Sequence, residues 1–219
     1  MTLLSGFNVL LNRYTHKRDL VVGTVIANRN RAELEPMIGF FVNTLVIRTR
    51  VEPGVSVRGL MQGVREAVLS AYSHQDLPFE RLIEELRPDR QATQTPLVEV
   101  MFVVQNAPTK GLELEGLTVE GVEVKQQEAK FELTVAVAEQ GGRLAVAVEY
   151  NRRLYEEGTV ARMVSHYERV LEQMAGAEAE ADVGRAPVLL AGVARAARGH
   201  DVVPCVPASP ALGDDVIYV

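Results

Sequence analysis

The run IGFFVNTLVIRTR, residues 38–50, limits the possible folds of this chain more than any other segment. Its β-branched residues favour a strand and its two phenylalanines favour burial. Asn43 and Thr44 nevertheless lie in its middle, and a buried amide without hydrogen-bond partners costs about 1–3 kcal/mol. The segment therefore predicts a strand over about 43–51 whose polar side chains must find partners elsewhere in the fold.

Further helices and strands are predicted along the remaining chain. Apolar residues at helical spacing predict helices at 2–15, 56–75 and 156–175, with one more beginning near Pro78. Runs rich in β-branched residues predict further strands at 19–27, 96–106, 117–124, 131–139 and 143–150. The glycines of QGG, residues 140–142, predict a hairpin between the last two strands. The sum is an α+β fold with a mixed β-sheet packed by helices.

Charge and composition exclude several kinds of partner. The net charge is −6 and no basic run occurs, which argues against a nucleic-acid partner. The apolar stretch at residues 1–11 is too short and too interrupted by polar residues to span a membrane. The single cysteine, Cys205, cannot form an internal disulfide. We therefore expect a cytoplasmic protein with neither a nucleic-acid nor a membrane partner.

The last part of the chain differs in character from the rest. After about residue 180 the sequence is rich in Ala, Gly, Pro and Arg and has no sustained period. Such composition is typical of a partly disordered segment. The sequence therefore predicts a folded region over 1–180 and a tail over 181–219.

No arrangement of residues in the chain points to a catalytic or metal centre. There is no Gly-rich phosphate loop, no cysteine or histidine cluster with metal spacing, and no G-x-S-x-G nucleophile elbow. The four histidines are isolated from one another in sequence: His16, His74, His166 and His200. His166 lies within a predicted helix, where a structural role is expected, and His16 lies at a helix end, where a cation is favourable. We therefore expect no bound metal and no directly bound cofactor.

The segment SHQDLPFERL, residues 73–82, holds the histidine with the most polar surroundings. His74 or Gln75 can donate hydrogen bonds to the free carbonyls at the end of the preceding helix, and Asp76 can accept hydrogen bonds from the first amides of the next helix. Capping explains all three residues without catalysis. A working role for His74 in chemistry is the alternative that the residues leave open.

Three segments resemble the motifs of one family. IGFFVNTLVIR (38–48) resembles the motif (I/V)-G-x-F-V-N-T-x-x-x-R, HQDLPFE (74–80) resembles H-Q-D-x-P-F-E, and RPDRQATQTPLVEVMF (87–102) is a looser version of R-D-x-S-R-N-P-L. The family is that of the condensation domains of nonribosomal peptide synthetases. The matched residues are Gly39, Phe41, Asn43, Thr44 and Arg48 in the first motif, His74, Gln75, Asp76, Pro78, Phe79 and Glu80 in the second, and Arg90 (or Arg87), Pro96 and Leu97 in the third. Thr95 stands where the third motif has Asn.

The resemblance implies a chloramphenicol-acetyltransferase-like fold with two lobes arranged in a V. Such domains join an acyl or peptidyl thioester to the amine of an aminoacyl thioester, both held on the phosphopantetheine arms of carrier proteins. Their H-H-x-x-x-D-G signature belongs to the N-terminal lobe and does not occur in this sequence. The resemblance therefore implies that residues 1–180 are the C-terminal lobe alone, a half domain without catalytic residues of its own and inactive by itself. A non-catalytic module that docks carrier proteins or scaffolds an assembly line is the alternative.

The resemblance also implies partners and roles for the matched residues. The implied partners are a peptidyl carrier protein and either an N-terminal lobe or a second copy of the chain. The first motif lies near the lobe junction, so its residues are expected to line the interface or the substrate tunnel, with Asn43 and Thr44 bonding across the junction and Gly39 allowing a close backbone approach. An Asn43 that caps a strand start inside one lobe is the alternative. The second motif is expected to be structural, the third a loop, and residues 106–130 the crossover toward the other lobe.

Overall fold

The computed structural model describes residues 1–86, 97–105, 129–140, 142–178, 181–183 and 217–218. The helices are α1 (Thr2–Thr15), α2 (Val57–Ser73), α3 (Phe79–Leu86) and α4 (Glu157–Gly176), with a short 3₁₀ turn at Ala32–Leu34. The strands are β1 (Asp19–Ile26), β2 (Asn43–Arg50), β3 (Val100–Gln105), β4 (Leu133–Gln140), β5 (Arg143–Tyr150) and the two-residue β6 (Ile217–Tyr218).

The strands form a single mixed sheet in the order β2-β1-β3-β4-β5-β6. β1, β3 and β4 run parallel, whereas β2, β5 and β6 are antiparallel to their neighbours. Asn43 therefore lies opposite Ile26, at the sheet end where β1 stops, and Tyr150 lies at the other end, opposite Leu133. The fold is the expected α+β arrangement, a mixed sheet packed by helices.

One face of the sheet carries the core. Alternate residues of each long strand point toward α1, α2 and α4, as the two-residue period of a strand requires. Phe102 of β3 stacks on Phe7 of α1 with ring centroids 5.0 Å apart, and both rings meet Tyr167 of α4 edge-on. All three side chains are almost completely buried, with exposures of 1–2%. This aromatic trio joins the sheet to two helices at once.

The predicted elements are confirmed to within a few residues wherever the structure describes them. The predicted strand at 117–124, His200, residues 106–128 of the predicted crossover and most of the 181–219 tail lie outside the described residues. Residues 181–183 pack on the folded region: the Val57 amide donates to the Ala181 carbonyl, and the Val183 amide donates to the Val55 carbonyl. These two bonds pair residues 181–183 with the segment before α2.

Among the described residues, none of the helices combines the length and the hydropathy that a membrane span requires.

Gly23 of β1 permits the close contact between β1 and β3. It pairs with Met101, and a Cβ at Gly23 would stand 2.6 Å from Val98 Cγ1 and closer still to Met101 Sδ. Val98 and Met101 are 0% and 1% exposed, so neither has room to move. We expect Gly23→Ala to lower the free energy of unfolding by about 1–3 kcal/mol, the usual cost of overpacking. Urea unfolding followed by circular dichroism measures it.

Gly63 provides the matched control for Gly23. It lies in the interior of α2 and is exposed. Apart from its two chain neighbours and the backbone of its own helix, no described atom lies within 4 Å of a methyl group added to its Cα. Gly63→Ala should therefore raise the free energy of unfolding by about 0.5–1 kcal/mol, the gain in helix propensity. Equal effects of the two substitutions would contradict the packing argument.

Candidate functional site

Asn43 joins the first two motif segments. Its Nδ2 donates to the carbonyls of Gln75 and Leu77, both at 2.9 Å. Its Oδ1 accepts from its neighbour Thr44 N at 2.9 Å and from Phe79 N, the first amide of α3, at 3.1 Å. An amide side chain offers two donors and two acceptor lone pairs, so all four are used. The polar group within the strand run thus holds the α2–α3 turn against the start of β2.

All four bonds are made within this chain. Whether Asn43 also faces a second lobe stays a prediction. The Thr44 hydroxyl has no hydrogen-bond partner within the part of the chain that the structure describes. Thr44 pairs with Val25 on the helix-free face of the sheet, whereas Asn43 points to the other face.

The α2–α3 turn confirms part of the capping interpretation. His74 Nδ1 donates to the Ser70 carbonyl at 2.8 Å, and the backbone amides of His74 and Gln75 donate to the carbonyls of Ala71 and Tyr72. His74 therefore closes α2, and its ring is exposed.

The prediction that the Asp76 side chain accepts the first amides of α3 is wrong. Its exposed carboxylate makes no hydrogen bond to the first turn of α3, and Asn43 Oδ1 takes the Phe79 amide instead. Asp76 is not needed as a cap, because Asn43 at the start of β2 reaches the first amide of α3 from outside the α2–α3 turn. Pro78 immediately precedes α3 and its carbonyl accepts from the amides of Arg81 and Leu82, while Glu80 lies exposed in the first turn.

The loop before β2 is held by a cation that the sequence analysis did not single out. Arg29 Nη1 donates to the carbonyls of Leu34, Glu35 and Met37, and its guanidinium lies 4.4 Å from the centre of the Phe41 ring. A Cβ at Gly39 would stand 3.0 Å from Phe41 Cε2. The close approach at Gly39 is thus made by a ring rather than by backbone. Arg29 thus holds the loop through three carbonyls, a role that no local sequence signal indicates.

Arg48 lies apart from Asn43, on the helix-free face of the sheet. Its guanidinium forms two hydrogen bonds with Asp19, at 2.8 Å and 2.6 Å, and Arg50 lies 3.4 Å from the same carboxylate. The bonds from Arg48 hold the pKa of Asp19 below its usual value. The pair is exposed, so its contribution to stability is small. The two-residue period of β2 therefore splits the first motif between two faces.

The third motif is only partly described. Arg90, Arg87, Thr95 and Pro96 lie outside the described residues. Leu97 is half-buried and has a positive φ of 74°, and Val98 after it is fully buried over Gly23.

His166 is buried, as its predicted structural role requires. It is 7% exposed, and its Nδ1 lies 2.8 Å from the Tyr14 hydroxyl of α1. Burial is the main cause that lowers the pKa of His166, and the positive charges of Arg169 and Arg162 add to it. Burial likewise raises the pKa of Tyr14.

This environment predicts a pH dependence of stability. An unfolded histidine titrates near pH 6.5, so below that pH the unfolded chain binds a proton that the folded chain takes up only at lower pH. The contribution of His166 to stability is therefore present above about pH 6.5 and is lost as the pH falls through the window down to the folded pKa. We expect His166→Gln to lose less stability than the wild type between about pH 7.5 and pH 5. Parallel urea titrations at the two pH values test this, and identical pH slopes would contradict it.

Within the described residues, no group of three or more His, Cys, Asp or Glu side chains could hold a metal ion. What the arrangement offers is a rigid polar junction at Asn43, beside a loop that presents apolar side chains. Ile38 and Phe40 of that loop are 104% and 92% exposed. Sequence reasoning expected burial for Phe40, and the structure shows the opposite.

Comparisons with known proteins agree with the motifs. The family model for the condensation domain matches residues 1–183. The chain is 46% identical over 177 residues to a subunit of the linear gramicidin synthase of Brevibacillus parabrevis, covering 80% of this chain and 4% of that protein. It is 44% identical over 174 residues to chondramide synthase cmdD of Chondromyces crocatus, again covering 80% and 4%. The chain thus spans only 4% of the length of these relatives.

Solved structures show the same fold. The X-domain from teicoplanin biosynthesis matches with a TM-score of 0.74 and 27% identity, covering 83% of this chain and 42% of that one. A holo four-domain nonribosomal peptide synthetase bound to AMP and glycine matches with a TM-score of 0.73 and 26% identity, covering 84% and 15%. With the family model matched over 183 of 219 residues, the chain belongs to the condensation-domain family of nonribosomal peptide synthetases.

Proposed function

We propose that residues 1–180 are the C-terminal lobe of a nonribosomal peptide synthetase condensation domain and contribute to amide-bond formation between two carrier-bound thioesters. The observation that carries the proposal is coverage. Most of this chain, 83%, aligns with only 42% of the X-domain chain, so the larger part of a domain of this fold is other polypeptide. The H-H-x-x-x-D-G signature is also missing from the sequence.

The chemistry of the reaction indicates which groups this chain can supply and which it cannot. The amine of the aminoacyl thioester attacks the carbonyl of the acyl thioester, the C–N bond forms, the C–S bond breaks, and the thiol of the phosphopantetheine arm leaves with a proton. A group with a suitable pKa must handle the amine proton, and an amide such as Asn43 cannot. This chain therefore supplies a wall of the site, and no cofactor binds to it directly beyond the arms that carrier proteins bring.

The first-motif residues are the ones we assign to the lobe junction or the tunnel: Gly39, Phe41, Asn43, Thr44 and Arg48. Support comes from the loop before β2, which is fixed by Arg29 and Asn43 yet ends in exposed side chains. A fixed, exposed loop suits a surface that meets another part of the domain. The second-motif residues keep a structural role, because His74, Gln75 and Phe79 use their polar groups within the turn. The predicted cytoplasmic location is consistent with this proposed function.

A reconstitution experiment tests the proposal. The chain is assayed alone and joined behind the polypeptide that precedes the matched region in the linear gramicidin synthase, with a donor and an acceptor carrier protein loaded as thioesters. Mass spectrometry of the acceptor carrier protein should show amide product only with the joined domain. Replacing the histidines of the added signature by alanine is the control and should abolish product. Robust product from the chain alone would overturn the proposal.

A second candidate is a docking module without chemistry. The observation that favours it is a match, with a TM-score of 0.72 and 28% identity, to the X-domain in its complex with OxyB, which shows a domain of this fold binding another protein. The net charge of −6 on this chain disfavours binding to an acidic carrier protein, because like charges repel. A pull-down with phosphopantetheinylated carrier protein tests it, and absence of binding excludes it.

A further inference from the structure

The edge of the sheet at β5 is paired over only part of its length. β6 lies antiparallel to β5 and pairs with it at two positions, Ala147 with Tyr218 and Val148 with Ile217. Among the described residues, no other strand adjoins that side of β5. The backbone groups that residues 143–146 direct to this side therefore have no strand partner in the described part of the chain. An unpaired strand edge is a template on which another strand can pair.

The sequence of β5 suits pairing with another strand. Its middle, Leu144–Val148, reads LAVAV and contains no charge, no proline and no glycine. Short uncharged segments without proline pair readily into sheets where their edge is open. The charged side chains of the strand stand on either side of this segment, Arg143 before it and Glu149 after it. β5 thus combines an apolar centre with a cation at one end and an anion at the other.

These charges select one partner, a second β5 in antiparallel orientation. When Val146 of one copy lies opposite Val146 of another, Arg143 lies opposite Glu149 of the second copy at both ends of the pair. Opposite charges in such positions stabilise an antiparallel pair, whereas like charges destabilise it. Leu144, which is 47% exposed, then lies opposite Val148 of the second copy. The two-residue period keeps these two side chains on the same face of the joined sheet.

The opposite edge of the sheet lacks this self-complementarity. β2 carries two arginines, Arg48 and Arg50, and no acidic residue. No antiparallel register of two β2 strands therefore sets opposite charges against each other. Both arginines also lie within ion-pair distance of Asp19 in the neighbouring strand. Charged side chains on an edge strand hinder pairing with other chains. Of the two edges, β5 is the one that fits a second copy.

β6 occupies part of the surface that a second β5 would need. Its two pairs lie at Ala147 and Val148, inside the register that is centred on Val146. A second copy that pairs over residues 143–149 must therefore displace β6. Pairing within one chain avoids the loss of translational and rotational freedom that the association of two molecules entails. A two-residue strand can therefore exclude a longer partner at low protein concentration.

We propose that the β5 edge is a self-association surface of this chain, on which two copies pair β5 to β5 about Val146, and that β6 keeps this surface closed. The partner is a second copy because β5 complements its own charge pattern. The inference is independent of the proposed function, since it involves neither a carrier protein nor a catalytic group.

Proline substitutions in β6 test whether this strand closes the edge. Ile217→Pro combined with Tyr218→Pro removes both backbone donors of β6, because proline has no amide hydrogen. Sedimentation velocity of the full chain should then show a monomer–dimer equilibrium whose dissociation constant is at least about tenfold lower than that of the wild type, the effect of losing a pair of competing hydrogen bonds. Ile217→Val combined with Tyr218→Phe keeps the amides and is the matched control, with wild-type behaviour expected. A double-proline variant that stays monomeric, or that dimerises no better than the wild type, would overturn the proposal.

Charge reversal tests the register. In the double-proline background, Arg143→Glu or Glu149→Arg sets like charges opposite each other at both ends of the pair, so each should weaken dimerisation. An equimolar mixture of the two variants should restore it, because each anion then lies opposite a cation of the other variant. Native mass spectrometry should show the heterodimer as the main dimer, since the two variants differ in mass. Self-association that neither reversal changes, whether to a dimer or to an aggregate, would contradict the proposal.

Hydrogen exchange locates the contact on the sheet. The edge-facing amides of residues 143–146 should become protected as the double-proline variant dimerises, and they should stay unprotected after Arg143→Glu in the same background. Arg143 is exposed and β6 pairs at only two positions, so the unfolding midpoints of these variants should stay close to that of the wild type at low protein concentration. A dimer in which these amides exchange as fast as in the monomer would place the contact elsewhere and exclude the β5 edge.

Discussion

Phe102→Ala should be among the most destabilising single substitutions in this chain, with a loss of about 3–5 kcal/mol in the free energy of unfolding. Phe102 is 2% exposed, stacks on Phe7 at 5.0 Å and meets Tyr167 edge-on. Removing the ring leaves a cavity between β3, α1 and α4, and none of the three elements can close it without leaving its other contacts. Urea unfolding monitored by circular dichroism gives the difference directly.

Val104→Ala is the matched control for Phe102→Ala. Val104 lies two residues further along β3, so it points to the same side of the strand, but it is 43% exposed. Its truncation should cost under about 1 kcal/mol, since little apolar surface is returned to water. Phe102→Leu, which keeps most of the volume, should fall between the two. Similar losses for Phe102→Ala and Val104→Ala would mean that the aromatic trio does not bind the sheet to its helices.

The elements of the fold could be predicted because their signals are local. The alternation of residues 143–150 and the helical spacing of residues 2–15 each express a period that a few neighbouring residues show by themselves. Gly142 has a positive φ of 76°, which is the backbone geometry that the hairpin signal requires. Strand order and the choice of the covered face depend on contacts distant in sequence, and no local period reports them.

The candidate site was less predictable for the same reason. The partners of Asn43 in the α2–α3 turn lie 32–36 residues along the chain, so the sequence showed a need for hydrogen bonds without showing where they go. Asp76 was expected to cap α3 because an acidic residue near a helix start often does. Asn43 reaches the same amide from a strand, and only the three-dimensional structure reveals that competition.

Asn43→Ala is expected to lower the free energy of unfolding of the isolated chain by about 2–3 kcal/mol. Each hydrogen bond contributes about 0.5–1.5 kcal/mol net, and water can replace part of the four because Asn43 is only half-buried. The loss should be concentrated at the junction, where the amide of Phe79 becomes unprotected. Hydrogen exchange should therefore quicken at the start of α3 while β4 and β5 keep their protection.

Asn12→Ala is the control for Asn43→Ala, because the Asn12 side chain bonds within its own helix end, from Nδ2 to the Lys17 carbonyl at 2.8 Å. We expect it to cost about 0.5–1 kcal/mol. Asn43→Asp separates the two halves of the amide. It keeps an acceptor for Thr44 N and Phe79 N, loses the donor to Gln75 and Leu77, and sets a negative charge against their carbonyl oxygens. It should therefore destabilise the chain despite its similar shape.

The same measurement decides between the two roles considered for Asn43. If its amide serves only to fix the α2–α3 turn, Asn43→Ala destabilises the isolated chain and the joined domain equally. If it also bonds across the lobe junction, Asn43→Ala lowers the free energy of unfolding more in the joined domain than in the isolated chain. The difference then measures the contribution of the bonds across the junction. A loss confined to the joined domain would mean that the four bonds within this chain contribute little, contrary to their geometry.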